Sequence, residues 1–472
     1  MKNPLLSDPR PRRQFIGEAS CAAVGSASLF STLLNMKMIN AAAAFDPRDD
    51  YKALVCVLLA GGNDSFNMLV PYGQEEYREY QTTRSDLALP KGDLLGLDGH
   101  DSQGRTFGVH PSMPEVQQMF NAGELAFLAN VGTLVEPTNK ITYSNRSVKL
   151  PVGLFSHVDQ IAHWQTSVPD RRTSIGWGGR TADLLRSLNT NQTISMNISL
   201  AGTNTFQAGT TVTDYSIESS DTGSIGINGF QRPDGAYDQL KKAAIEGLID
   251  LEYQNLFEQT YASTMRSAID GHIQFSEAIQ NAPDPYTEFA DNEIARAFQM
   301  VAKTISARSS LGFQRQTFFI LFGGWDHHDE VLNNQTGMLS ILSASLRQFR
   351  SALKRLGVDD RVTTFTISDF GRTLTSNGRG SDHGWGGNHI ITGGAVRGGR
   401  IYGAYPALHL DNPLDVERGI LIPTTSCDEY FAELALWFGV EPSDLSTVFP
   451  NIDRFYDRSS ANMPLGFLTA TA

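Results

Sequence analysis

Apolar runs that alternate with helical periods predict an α/β fold: a central, largely parallel mixed sheet flanked by helices. Three observations carry this prediction. Ala53-Leu-Val-Cys-Val-Leu-Leu59, Gln316-Thr-Phe-Phe-Ile-Leu-Phe322 and Arg361-Val-Thr-Thr-Phe-Thr-Ile367 are β-type apolar runs of the kind buried on both faces of a sheet. Helical patterns separate them, as parallel crossovers require. Each run ends near an acidic residue, Asp64, Asp326 or Asp369, where open α/β sheets place their chemistry.

The chain has 472 residues and a net charge of −13. Its first 44 residues read as an address. Paired Arg12-Arg13 precede Phe15-Ile16, a weakly hydrophobic stretch from Ala19 to Leu34, and Ala41-Ala42-Ala43-Ala44, the order of a twin-arginine signal with a small-residue cleavage site. The apolar stretch is shorter than the roughly 20 residues a bilayer needs. Periplasmic or secreted export is therefore expected, with no membrane span after cleavage. Cleavage would remove five basic and two acidic side chains, taking the charge from −13 to −16. Such an acidic chain repels nucleic acid and anionic membrane surfaces. Cys21 leaves with the signal, and Cys56 and Cys427 read as separately buried thiols.

The remainder, 45–472, reads as one domain. After the first strand, Val109 to Asn121 carries a proline-started amphipathic helix, followed by a strand over Leu125 to Val131. From Ile194 to Pro233 the composition turns to Thr, Ser, Asn and Gly, an insertion or cap. Helical patterns follow over Tyr237 to Gln280, broken near Gly271, then over Tyr286 to Arg308 and Leu339 to Leu356. His389 to Ala395 is a further candidate strand.

Two segments concentrate the chemistry. Gly323-Gly-Trp-Asp-His-His-Asp329 and Ser381-Asp-His-Gly-Trp-Gly-Gly-Asn-His389 hold four of the ten histidines. Carboxylates mixed with imidazoles suit Zn²⁺ or Mn²⁺, with Ca²⁺ or Mg²⁺ as further choices. The candidate metal ligands are Asp64, Asp326, His328, Asp369, Asp382, His383 and His389. Asp326 and His328, at i and i+2, face one side of an extended segment, whereas His327 faces the other. Ser156, before a helical run, reads as an N-cap or as a nucleophile. Arg372 reads either as a clamp for a tetrahedral anion or as a partner for a carboxylate.

Leu59-Ala-Gly-Gly-Asn-Asp-Ser-Phe-Asn67, Leu154-Phe-Ser-His-Val-Asp-Gln160, Gly176-Trp-Gly-Gly-Arg180, Gly323-Gly-Trp-Asp-His-His328, Ser368-Asp-Phe-Gly-Arg-Thr373 and Asp382-His-Gly384 together resemble the exported bacterial family called domain of unknown function 1501. That family is similar to the alkaline phosphatase and sulfatase superfamily, which implies two metals in active members. The resemblance makes Asp326 and His328 one metal's pair. It makes Asp369 the strand-end aspartate of a second pair, with Phe370 in place of its histidine, and His383 the late histidine of the first metal. An alternative register takes Asp382-His383 as the strand-end pair and His389 as the late histidine. The implied function is a metal-dependent hydrolase of small-molecule or polymer phosphate or sulfate esters. The alternative is a catalytically degenerate binding protein of the same fold.

Overall fold

The computed structural model describes residues 50–285 and 288–469. The expected signal lies outside the described residues. Fourteen strands are formed among them: β1 Lys52–Leu59, β2 Leu69–Pro71, β3 Leu95–His100, β4 Thr106–Val109, β5 Leu125–Gly132, β6 Asn197–Ser199, β7 Tyr215–Ser216, β8 Arg315–Phe322, β9 Val362–Ser368, β10 Arg372–Ser376, β11 Ser381–His383, β12 Gly387–Thr392, β13 Ile401–Tyr402 and β14 Thr425–Ser426.

The central sheet runs β13-β5-β12-β9-β1-β8-β6-β7, with β14 also paired to β5. Strand β1 lies between β8 and β9 and is parallel to both, Lys52 opposite Arg315 and Ala53 opposite Val362. All eight of its residues are buried, as expected for an unbroken apolar run with parallel neighbours on each side. Strand β12 runs antiparallel between β5 and β9, so the sheet is mixed but mostly parallel. Helices Glu293–Ser306 and Val331–Arg355 pack on each other, their Phe298 and Phe349 rings 4.9 Å apart. Helices Trp177–Leu185 and Cys427–Phe438 meet through stacked Trp177 and Phe431, 4.8 Å apart, with Phe365 of β9 beside them.

The structure moves several expected boundaries. The helix expected from Val109 begins at Pro114, because Thr106–Val109 is claimed by a separate antiparallel sheet with β2 and β3. The break expected near Gly271 lies instead between Ile249 and Leu256, where Asn255 caps the second helix; Gly271 is inside that helix. Within 194–233, strands β6 and β7 extend the central sheet at one edge. Cys56 and Cys427 are free and buried.

A buried carboxyl lies at the start of helix Cys427–Phe438. Burial pushes Asp428 up to about 7, against the opposing hydrogen bonds of Ser167 and Ser426 and the charge of Arg180. In the unfolded chain this group titrates near about 4. Between those values the unfolded chain binds fewer protons than the native one, so stability falls as pH rises from about 4 to about 7. Asp428→Asn should flatten that part of the stability curve, read from urea midpoints across the same pH range. A slope unchanged by the substitution would refute the assignment.

Candidate metal centre

Two loops at the carboxyl ends of β1 and β8 build the floor of the site. They are joined by main-chain bonds, Ala60 N–H to the Phe322 carbonyl at 2.9 Å and Trp325 N–H to the Ala60 carbonyl at 3.0 Å. Gly61, at φ +121°, makes this approach possible: a Cβ there would lie 2.4 Å from the Asp326 nitrogen. Glycine at this position is therefore a requirement of the site's geometry.

Arg372, at the start of β10, fastens these loops. Its fully buried guanidinium donates to the Gly62 carbonyl at 2.9 Å, the Ser381 carbonyl at 3.0 Å, the Trp325 carbonyl at 3.3 Å and the Gly61 carbonyl. It also donates to Asp326 Oδ1. With its donors committed this way, Arg372 positions Asp326 and is no clamp for a substrate anion. Partial burial opposes ionisation of Asp326, but Arg372, followed by His328 and His157, holds its carboxyl below the usual range.

Three histidines surround Asp326, each tied through Nδ1 to an oxygen. His157 Nδ1 meets Asp369 Oδ2 at 2.6 Å, His383 Nδ1 meets the Phe155 carbonyl at 2.9 Å, and His328 Nδ1 meets Asp382 Oδ1 at 3.2 Å. A carbonyl oxygen only accepts, so His383 carries its proton on Nδ1 and leaves Nε2 as a lone-pair donor. The carboxylate partners favour the same tautomer in the other two rings. All three Nε2 atoms face Asp326: His157 at 3.4 Å from Oδ2, and His328 and His383 at 3.1 and 3.5 Å from Oδ1. His328 and His383 Nε2 are themselves 3.0 Å apart.

His157, Asp326 and His383 form a convergent coordination set. One nitrogen from each ring and one carboxylate oxygen lie within 4.8 Å of one another, close enough for a single divalent cation to be shared by all three. His157 Nε2 is buried and has no hydrogen-bond partner, as suits an atom whose partner is a cation. Burial lowers the pKa of His383, as do Arg372, His157 and His328, against the pull of the Phe155 carbonyl, which favours the neutral ring a metal needs. The residues fit a divalent cation.

The remaining candidates take other places. Asp369, expected as a ligand, is buried and stands behind His157, its Oδ1 accepting from Gly61 N–H at 3.0 Å; burial raises its pKa against that bond and His157. Asp382 likewise stands behind His328 and is held by Arg418 at 2.7 Å. Asp64 is drawn into a buried pair with Arg84 at 2.6 Å and accepts from Ser381 Oγ at 2.9 Å, both through Oδ2, while its buried Oδ1 has no hydrogen-bond partner. His389 lies inside β12 against Trp164, ring centroids 4.7 Å apart, and burial takes it down to about 3, a neutral core imidazole. Ser156 caps helix His157–Thr166, its Oγ 3.5 Å from Asp159 N–H. His327 is buried and His328 half exposed, as their alternation requires.

His157 is the residue that sequence reasoning passed over. Its only local signal was adjacency to the cap Ser156, because its anchor Asp369 lies 212 positions away.

Comparison with known proteins gives a family and distant folds. A family model described as "Protein of unknown function (DUF1501)" matches residues 51–423. No curated protein matches the chain. Among solved structures, Ps i-CgsB in complex with k-i-k-neocarrahexaose is similar at 11% identity, covering 87% of this chain and 74% of that one, with a TM-score of 0.31. The lipoteichoic acid synthase LtaP from Listeria monocytogenes is similar at 10% identity, covering 82% of this chain and 72% of that one, also at 0.31.

Loss of the anchor behind His157 tests its place in the set. Asp369→Asn should weaken divalent-metal affinity about 10- to 100-fold, measured by calorimetric titration, whereas His389→Gln should leave affinity unchanged. Equal affinities in the Asp369→Asn and parent proteins would remove His157 from the coordination set.

Proposed function

The chain belongs to the DUF1501 family of proteins of unknown function, and from that premise we propose that it is a metal-dependent hydrolase of phosphate or sulfate esters, with one cation held by His157, Asp326 and His383. The observation that carries this reading is the set of three imidazoles, each fixed through Nδ1 to an oxygen and each presenting Nε2 to one carboxylate. Two nitrogen donors favour Zn²⁺ or Mn²⁺ over Ca²⁺ or Mg²⁺.

A divalent cation there supplies Lewis-acid polarisation of the ester and of the attacking water. Asp326 and His328 are each about half exposed, at 46% and 45% of their side chains, so substrate and water reach this side of the site. His328, its Nδ1 on Asp382 and its Nε2 beside Asp326, is placed to take the attacking water's proton at Nε2 and pass it to the leaving oxygen. Arg372 keeps Asp326 fixed during the reaction. Water is the nucleophile in this scheme, since Ser156 serves as a helix cap.

A second reading, a catalytically degenerate protein that binds an ester-bearing polymer or exported partner without turnover, draws on two observations. Asp64 is neutralised by Arg84, and Phe370 packs 4.9 Å from His157 and 4.5 Å from His383. Export by the twin-arginine route belongs to both readings and rests on Arg12-Arg13.

Turnover separates the two. Protein loaded with Zn²⁺ or Mn²⁺ should hydrolyse an aryl phosphate or an aryl sulfate, and EDTA should abolish the activity. Asp326→Ala should cost at least about 100-fold in kcat/KM while far-ultraviolet circular dichroism stays unchanged. A metal-loaded protein inert on both esters would leave the binding reading in place. For export, the pair Arg12→Lys and Arg13→Lys should hold the protein in the cytoplasm, scored by cell fractionation; continued export would count against the twin-arginine route.

A further inference from the structure

Exposed large hydrophobic residues are not spread evenly over the surface. Of the fourteen among the described residues, eight lie between 225 and 261: Ile225, Tyr237, Leu240, Leu248, Leu251, Leu256, Phe257 and Tyr261. Their side chains belong to a helical hairpin, Ala236–Ile249 and Leu256–Gln280, and to the loop before it. The first helix has fourteen residues, none of them buried. A helix this short is marginal in water, and most helical stability in proteins comes from packing one face. None of the described residues buries that face.

The apolar positions form stripes. Tyr237, Leu240, Ala244 and Leu248 follow 3- and 4-residue spacing along one side of the first helix, and Phe257, Tyr261, Met265 and Ala268 do so on the second. The second stripe runs into an apolar cavity of about 290 Å³ lined by Ile225, Phe230, Met265, Ala268 and Ile269. One hairpin thus carries both protruding aromatic side chains and a hollow of matching chemistry.

We propose that this hairpin is the homodimer interface, packed against the same hairpin of a second copy about a twofold axis, with Phe257 and Tyr261 of each copy directed at the other's cavity. Area supports a second copy. Eight side chains at 55–84% exposure, taken at roughly 180 Å² each, offer roughly 1,000 Å². That exceeds the roughly 300–600 Å² patch of a typical monomer and meets the roughly 800 Å² per partner of a stable interface. Self-complementarity is what a twofold contact demands. Charge disfavours an anionic lipid surface. Of the basic residues within 225–266, Lys241, Lys242 and Arg266 are in ion pairs with Asp238, Glu246 and Asp250, and Arg232 is outnumbered by Asp234, Glu252 and Glu258.

The test is the mass of the full mature chain in solution, by light scattering after size exclusion and by sedimentation equilibrium. A dimer at micromolar concentration is expected, and the pair Leu248→Glu and Phe257→Glu should weaken it by more than about tenfold. Both positions are exposed, so the melting temperature at low concentration should hold; Ala268→Glu, at the cavity, gives a second variant with the same expected weakening. A monomeric parent protein would overturn the proposal, and so would a dimer that all these variants leave intact. Tight binding of the monomer to phosphatidylcholine vesicles would also overturn it, identifying the patch as a lipid-binding face. None of these readouts depends on metal or turnover, so the hydrolase proposal stands or falls separately.

Discussion

The buried guanidinium of Arg372 is the interaction on which the site's geometry depends. It draws the Gly61 and Gly62 carbonyls after β1, the Trp325 carbonyl after β8 and the Ser381 carbonyl of β11 onto one planar group, and spends a further donor on Asp326. Several strand ends are thereby held in fixed relation to one carboxylate. A lysine could not do this, since its ammonium offers no flat fork of donors. The same bond keeps Asp326 ionised and therefore competent as a ligand.

Around that carboxylate the protein divides its acidic residues into two roles. Asp326 faces three imidazole Nε2 atoms, while Asp369 and Asp382 stand behind histidines and set their tautomers. Burial raises the pKa of Asp369, and for Asp382 burial is outweighed by Asn377, Arg418 and His328, which bring it down. Proximity to a strand end does not make a carboxylate a ligand: Asp326, though held by Arg372, is half exposed and faces three imidazoles, whereas Asp64 is fully buried against Arg84. Arg84 reaches Asp64, and removing either partner would leave a buried charge unanswered.

Phe370 occupies the ground beside His157 and His383, stacking against both and against Arg372. An aromatic ring there shields the second-row contacts from water on one side, while Asp326 and His328 remain open on the other. The hairpin carrying the exposed apolar stripes belongs to a different region of the chain from these residues.

By itself the sequence determined the strands and the chemistry available at their ends. Seven-residue apolar runs rich in β-branched and aromatic residues suit buried sheet, which is why β1, β8 and β9 lie where their composition places them, and the i, i+2 alternation sends His328 outward and His327 inward. It also determined family membership, because six short motifs recur in order. Tertiary structure alone decided who partners whom. His157 joins the site through an aspartate 212 positions away, Asp64 leaves it through an arginine 20 positions on, and His389 is sealed beneath Trp164. Local sequence fixes backbone period and side-chain type, whereas ligand and anchor are distinguished by the distance between side chains brought together only when the sheet closes.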